Sequence, residues 1–263
     1  MEGIGESQHQ YRAVNRRGWA ELVQRGCSYS TPVTAAALAN AHSALCPPGW
    51  IDWAAVRTVL CLASGGGQQG PLAAALGKRV TVADLSPEQL ALDRSTAAAH
   101  GLELETIELD MQDLSVLHGR GFDVVIQPVS CCYVPDVRQV YREVARVLAP
   151  GGLYLVNQWN PTLIQMPEHG DWDGAAYRLV VPQTQRDPVP QTVWTIHGTA
   201  HAITTWQYIH PLGDLLGGLL DAGFSLLRFV EAGEPDLGAS PGSMNHLAAF
   251  APPLFQILAR APA

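Results

Sequence analysis

One lysine, Lys78, occurs in the 263 residues of this chain. Charged residues together reach only 15%, against 47% hydrophobic. That balance excludes a disordered polymer and demands a packed core, which a chain of this length buries as one α/β domain with room for a modest insertion. Acidic side chains outnumber basic ones 24 to 16, giving a net charge of −8. No stripe of Lys and Arg is available to displace counterions from phosphates, so a nucleic-acid partner is not expected. The lysine scarcity also constrains chemistry. A short-chain dehydrogenase needs a Tyr-x-x-x-Lys pair, and four residues before Lys78 stands Ala74.

Long apolar runs are missing too. The nearest, GDLLGGLLDAGFSLLRFV, is interrupted by Asp214, Asp221 and Arg228 and falls short of the roughly 20 residues that span a bilayer. The opening MEGIGESQHQYR is polar, with no apolar signal core, so a cytoplasmic protein without membrane attachment is expected. Five cysteines, an odd number without metal-like spacing, point to reduced thiols. The adjacent Cys131 and Cys132 read as small buried residues.

What is present is an alternation. RTVLCLA, RVTVADL, LETIELD, FDVVIQPV and LYLVNQW are short apolar runs of strand character, separated by helical segments. SPEQLALDRSTAAAHG carries a Ser N-cap, Pro at the first helical position and a C-terminal Gly. The pattern predicts a Rossmann-like, doubly wound, mostly parallel sheet in one domain. Residues 1–50 read as a helical lid that includes RAVNRRGWAELVQRG and TAAALANAHSAL, and 51–159 as a cofactor-binding core. Residues 160–210 read as a substrate cap with an antiparallel pair, TVWTIHG and HAITTWQYIH, and 211–263 as closing core elements. The closing elements are a helix PLGDLLGGLLDAG, a strand SLLRFVEA and a last strand near AAFAPPLFQILARAP.

The first strand breaks into Gly65, Gly66 and Gly67 before a helix. Glycines there serve a tight turn or the close approach of a ligand, and strand–glycine turn–helix presents backbone N–H groups to a nucleotide-like molecule. Gly65-x-Gly67-x-x-Gly70, with Asp84 ending the next strand, fits a nicotinamide dinucleotide or S-adenosylmethionine equally well.

VLCLASGGGQQG, VTVADLSPEQL, FDVVIQPVSCCYVPD and VYREVARVLAPGGLYLV, in that order, resemble the class I S-adenosylmethionine-dependent methyltransferases. The similarity is to the type 11 group that includes ubiquinone and menaquinone C-methyltransferases. It runs in register over 59–157 and more weakly along WQYIHPLGDLLGGLLDAGF. The resemblance implies S-adenosylmethionine as cofactor and S-adenosylhomocysteine as product. By that resemblance Ala63, Ser64, Gly65 and Gly67 would approach the methionine part, Asp84 the ribose hydroxyls, and Leu85 the adenine ring. Asp110 and Met111 would meet the adenine edge, and Gln127 would lie beneath the reacting sulfonium. Two residues depart from the family pattern: Cys61 where an acid is common, and Ala63 where glycine is. Without that acid, a distant electrostatic partner of the cofactor's ammonium group is missing.

Methyl transfer needs alignment in a dry pocket and, for some acceptors, a base. Tyr133, where the resemblance often places a substrate-facing histidine, is one candidate; packing over the cofactor is its other reading. His169 and His210, in or beside the cap, are candidate bases, against an ordinary structural role for each. His197 and His201 flank the turn GTA as half of a metal site without a third ligand, so no metal is expected. Trp159, Trp172, Tyr177, Trp194, Trp206 and Tyr208 either fill a small cap or line a pocket for a flat or apolar small molecule, or for an amine. QPVS after the fourth strand is not the Asn/Asp-Pro-Pro-aromatic run of amino-methylating nucleic-acid enzymes. The expected activity is methyl transfer to a carbon or oxygen of a small metabolite. The alternatives are a cofactor-retaining enzyme doing cyclisation or decarboxylation, and an inactive binding subunit.

Overall fold

The computed structural model describes residues 3–167 and 172–263. Helix α1 (Gly3–Gln24), a 3-10 turn (Ser28–Ser30), α2 (Ala35–Ala39) and α3 (Ala41–Leu45) precede the sheet. Then come β1 (Thr58–Leu62), α4 (Gln69–Ala75), β2 (Arg79–Asp84), α5 (Pro87–Ala99), β3 (Glu105–Glu108) and β4 (Phe122–Gln127). A 3-10 turn (Cys131–Tyr133) leads to α6 (Val137–Val147), β5 (Leu148–Trp159) and α7 (Pro161–Ile164). A hairpin of β6 (Val189–Ile196) and β7 (Thr199–Gln207) follows. The described chain closes with α8 (Leu212–Leu215), α9 (Gly217–Asp221), β8 (Ser225–Ala232), α10 (Met244–Ala248) and β9 (Leu254–Arg260).

Local chemistry sets several boundaries. Ser86 accepts the Gln89 N–H ahead of Pro87 to start α5, and Asp136 accepts the Gln139 N–H to start α6. Four segments differ from the sequence expectation. TAAALANAHSAL divides at Asn40, whose φ of −117° and ψ of 32° leave the helical region. PLGDLLGGLLDAG divides at Leu216, just before two glycines that hold a helix weakly. Strand β5 begins at Leu148 rather than Leu153, because Leu148 already pairs with Phe122 and an irregularity absorbs the Pro-Gly-Gly that follows. The segment before the last strand folds as α10, with Ser243 accepting the His246 N–H.

The seven-stranded sheet has the order β3-β2-β1-β4-β5-β9-β8, with β6 and β7 apart as a two-stranded hairpin. Strands β3, β2, β1, β4 and β5 run parallel, while β9 is antiparallel to both its neighbours, β5 and β8. Strand order reverses between β1 and β4, so a crevice opens beyond their carboxyl ends, where open α/β sheets bind ligands. Alternation along the strands builds a core on each face. Leu60, Leu62, Val125, Tyr154 and Val156 meet α6 and α9, whereas Val59, Cys61, Val82, Val124 and Ile126 meet α4 and the 41–56 segment.

Helix α1 lies across this scaffold against the hairpin. A Cβ added at Gly18 would stand 2.5 Å from the Thr204 carbonyl oxygen, so glycine lets the helix backbone touch β7. Asn15, buried in the seam, donates to the Tyr133 and Trp206 carbonyls at 3.0 and 3.1 Å and accepts the Trp206 N–H at 2.7 Å. Among the described residues, no helix is long and apolar enough to cross a membrane.

Candidate active site

The loop after β1 is shaped by three glycines, each for a contact. A Cβ on Gly65 would stand 2.5 Å from Gln89 Cβ, and one on Gly67 2.5 Å from Thr96 Oγ1. Gly66 and Gly67 also have φ of 117° and 75°, conformations that side chains resist. Gly70 packs α4 on the sheet, since a Cβ there would meet Val82 Cγ2 at 2.5 Å. Ala63 turns the chain with φ of 46°, bearing a methyl in a region that glycine favours. Ser64 is buried beside the Cys61 thiol, which burial holds well above its ordinary pKa.

Asp84, at the end of β2, closes on this loop. Its Oδ2 accepts the Gly65 N–H at 2.9 Å and its Oδ1 the Ser86 N–H at 2.9 Å. Burial raises its pKa, against the pull of the Ser86 and Gly65 amides. With the Leu85 amide also directed at the carboxylate, three amides leave it acceptor capacity for a ligand hydroxyl. Leu85 follows, partly exposed. The N-terminal region covers the loop from outside. Val33 N–H donates to the Gly67 carbonyl at 2.9 Å, and Gln89 Nε2 to Ser30 Oγ at 2.8 Å.

After β3, Asp110 is capped by α1: its Oδ2 receives both the Tyr11 hydroxyl and Arg12 Nε. Arg16 pairs with Glu108 at 2.6 Å on the same edge. Met111 lies deeper, with Gln127 Nε2 donating toward its sulfur at 3.2 Å. Gln127, almost wholly buried at the end of β4, also donates to Ser130 Oγ at 2.9 Å and accepts from the Tyr154 hydroxyl at 2.5 Å.

The three candidates for proton transfer fare differently. Tyr133 is buried in the turn after β4, its ring edge-on to Trp19 at 5.4 Å and its hydroxyl in contact with Gln207. Burial keeps that hydroxyl protonated far above neutral pH. His210 directs Nε2 at the carbonyls of Cys131 and Val134, 3.1 and 3.0 Å away. A nitrogen facing two carbonyls carries a proton, so His210 is a strut that holds the 131–133 turn rather than a base at that atom. His169 lies outside the described residues. His197 and His201 sit on the hairpin, whose turn is His197–Gly198 with φ of 50° and 77° rather than GTA. Among the described residues no cluster of three metal-ligating side chains occurs.

Beside Tyr133 helix α1 and the hairpin meet in an aromatic wall. Trp19 and Trp194 approach at 5.7 Å, Trp194 and Tyr29 at 6.3 Å, all edge-on. Trp194 Nε1 and Thr205 Oγ1 are buried without a hydrogen-bond partner among the described residues. A cavity of about 290 Å³ runs under the carboxyl ends of β4 and β5, bordered by Gln69, Gln127, Pro128, Asn157 and Gln256. Trp172, Tyr177, His246 and Phe250 instead pack on one another, with the Tyr177 hydroxyl 2.6 Å from His246 Nδ1. Of that group His246 is buried, Trp172 and Tyr177 are half-buried and Phe250 is exposed.

A model of a methyltransferase domain matches residues 60–156. A solved S-adenosylmethionine-dependent methyltransferase from Mesorhizobium loti superposes with a TM-score of 0.61 at 22% identity, over 86% of this chain and 98% of that one, a likeness of fold. YbaJ, an uncharacterized methyltransferase of Bacillus subtilis (strain 168), is 32% identical over 231 residues, 83% of this chain and 89% of its own. The chain belongs to the class I S-adenosylmethionine-dependent methyltransferases.

The ubiquinone biosynthesis O-methyltransferase of Xanthomonas oryzae pv. oryzae (strain PXO99A) is similar over a shorter stretch, 34% over 117 residues, covering 43% of this methyltransferase and 46% of that one. The cofactor of the family is S-adenosylmethionine, and Asp84 fits it, with acceptor capacity left for a ribose hydroxyl beside the glycine loop. The glycines themselves answer to the protein's own packing, against Gln89, Ser30 and Thr96. Residues of this methyltransferase that sequence reasoning missed are Asp93, Asn15 and Ser30. Asp93 and Ser30 reach the glycine loop, and Asn15 the seam between α1 and the hairpin, only through tertiary contacts, so no local signal marks them.

Proposed function

We propose that this methyltransferase alkylates a small, largely apolar acceptor, at carbon or oxygen, beneath a lid formed by 1–50 and a cap formed by 160–210. One observation carries the reading: the Trp19–Tyr133–Trp194–Tyr29 wall, with the Trp194 Nε1 donor beside it, unpartnered among the described residues. Edge-on aromatics favour a flat ligand, and a buried donor without an acceptor favours an oxygen on it. The net charge of −8 disfavours phosphate-rich partners. Five free, buried thiols favour a reducing, cytoplasmic setting.

Bound S-adenosylmethionine would supply a methyl group from its cationic sulfur; the S–CH3 bond would break as the new bond to the acceptor forms, giving S-adenosylhomocysteine while the acceptor gives up a proton to solvent. In this reading Asp84 holds the ribose hydroxyls and Leu85 flanks the adenine. Asp110 and Met111 meet the adenine edge, while Ala63, Ser64, Gly65 and Gly67 border the methionine arm. Gln127 orients the floor of the site through Tyr154 and Ser130. Tyr133, held neutral, offers a hydrogen bond and an aromatic face rather than a base. The lid and cap exclude water, which strengthens each electrostatic contact inside.

The test is incubation of the purified protein with S-adenosylmethionine and a panel of phenols, quinols and enolisable ketones. The expected result is S-adenosylhomocysteine accumulating with an acceptor heavier by one methylene. Cofactor binding with no S-adenosylhomocysteine from any acceptor, but with cyclised or decarboxylated product, would overturn it.

A further inference from the structure

Helix α5 turns one acid toward the glycine loop. Asp93 is 0% exposed, and its Oδ2 accepts the Gly66 N–H at 2.9 Å. Its Oδ1 has no hydrogen-bond partner among the described residues. Gly70 on α4 leaves that oxygen its space, since a Cβ there would stand 2.9 Å from it. The charged and titratable groups that face Asp93 are Asp84 from the end of β2, Cys61 from β1 and the adjacent Arg94 on its own helix. No salt bridge joins Asp93 to a cation among the described residues. A buried carboxylate without a cation destabilises a fold. Two acids therefore grip successive amides of the loop, Asp84 at Gly65 and Asp93 at Gly66. The strand behind the loop contributes only the protonated Cys61 thiol.

We infer that Asp93 is a positioning residue of the cofactor site: it fixes Gly66 from behind and supplies, from α5, a negative charge that complements the cationic methionine arm of S-adenosylmethionine. The inference rests on the cofactor assignment. Burial pushes the Asp93 carboxyl up to about 7, while the Gly67 and Gly66 amides pull it back down. A folded pKa above the ordinary carboxylate range means that the ligand-free fold loses stability as pH rises from that range toward 7. A bound cation offsets the loss by favouring the charged form.

Asp93→Asn preserves the shape and an acceptor for Gly66 while removing the charge. Calorimetry at pH 8 on wild type and D93N, with S-adenosylmethionine and with 5′-methylthioadenosine, tests the idea. The second ligand keeps adenine and ribose but lacks the charged arm. D93N is expected to weaken S-adenosylmethionine about tenfold or more, the effect of losing one charge-assisted interaction, and methylthioadenosine less than about threefold. Without ligand, D93N should melt no lower than wild type at pH 8, and its advantage should shrink at pH 5. Equal weakening of both ligands, unchanged affinity for both, or a lower ligand-free melting temperature at pH 8 would each overturn the inference. Wild type that binds neither ligand would overturn the cofactor assignment instead.

Discussion

Replacing Gly65 by alanine puts one methyl group into the tightest point of the glycine loop. Its Cβ would stand 2.5 Å from Gln89 Cβ and 3.1 Å from Asp84 Oδ2. Ordinary carbon–carbon contact is about 3.5–4.0 Å, so loop or helix must retreat by roughly 1 Å. Gln89 Cβ is bound directly to the α5 backbone and cannot swing aside like the tip of a long side chain. The loop therefore moves, and the Gly65 N–H to Asp84 bond, 2.9 Å long, stretches with it. Overpacking of this kind costs about 1–3 kcal/mol, which lowers Tm by roughly 3–10 °C for a chain this size. Function should suffer more than stability. A displacement of about 1 Å at a positioning element lowers rate on the order of a hundredfold. Gly213→Ala is the matched control, with no atom within 4 Å of the new methyl and a helical position that alanine favours. Differential scanning fluorimetry and initial rates with S-adenosylmethionine check both variants. A G65A protein with unchanged Tm and unchanged cofactor KM would refute the claim that steric closeness, rather than chance, keeps glycine at 65.

Asn15→Ala strips the seam between α1 and the hairpin of three hydrogen bonds and takes away the side-chain acceptor of the half-buried Trp206 N–H. It should cost about 2–4 kcal/mol and raise hydrogen exchange along α1 and β7 while β1 and β4 stay protected. Uniform exchange changes across the sheet would contradict a local seam. His210 yields a pH prediction: burial depresses its pKa despite the carbonyls of Cys131 and Val134. A depressed folded pKa gives stability that is complete above the unfolded histidine value near 6.5 and declines as pH falls below it. His210→Gln, which still donates to carbonyls, should flatten the Tm profile between pH 7 and pH 5; an unchanged profile would place the acid sensitivity elsewhere.

Much of the framework was legible in the linear sequence because its causes are local. Alternating apolar runs define strands buried on both faces, and Ser86, Pro87 and Gly101 punctuate a helix whatever packs on it. The glycine run and Asp84 announce a tight strand–turn–helix loop, because Gly66 and Gly67 take backbone that side chains resist and the Gly65 amide reaches Asp84. The same local logic misplaced the starts of β5 and β9. There, pairing of Leu148 with Phe122 and the capping of α10 by Ser243 outweigh the apparent breakers. For His210 it left a base and a structural role both open, and the contacts of Nε2 to two carbonyls favour the structural one. Only tertiary structure brought Asp93 to Gly66, Asn15 to Trp206, and Tyr11 and Arg12 to Asp110, across separations of 27 to 191 residues. The placement of β9 between β5 and β8 was likewise invisible in its own seven residues. Periodicity and caps are written in neighbouring residues, whereas the burial of a charge or the partner of a side chain depends on which elements meet.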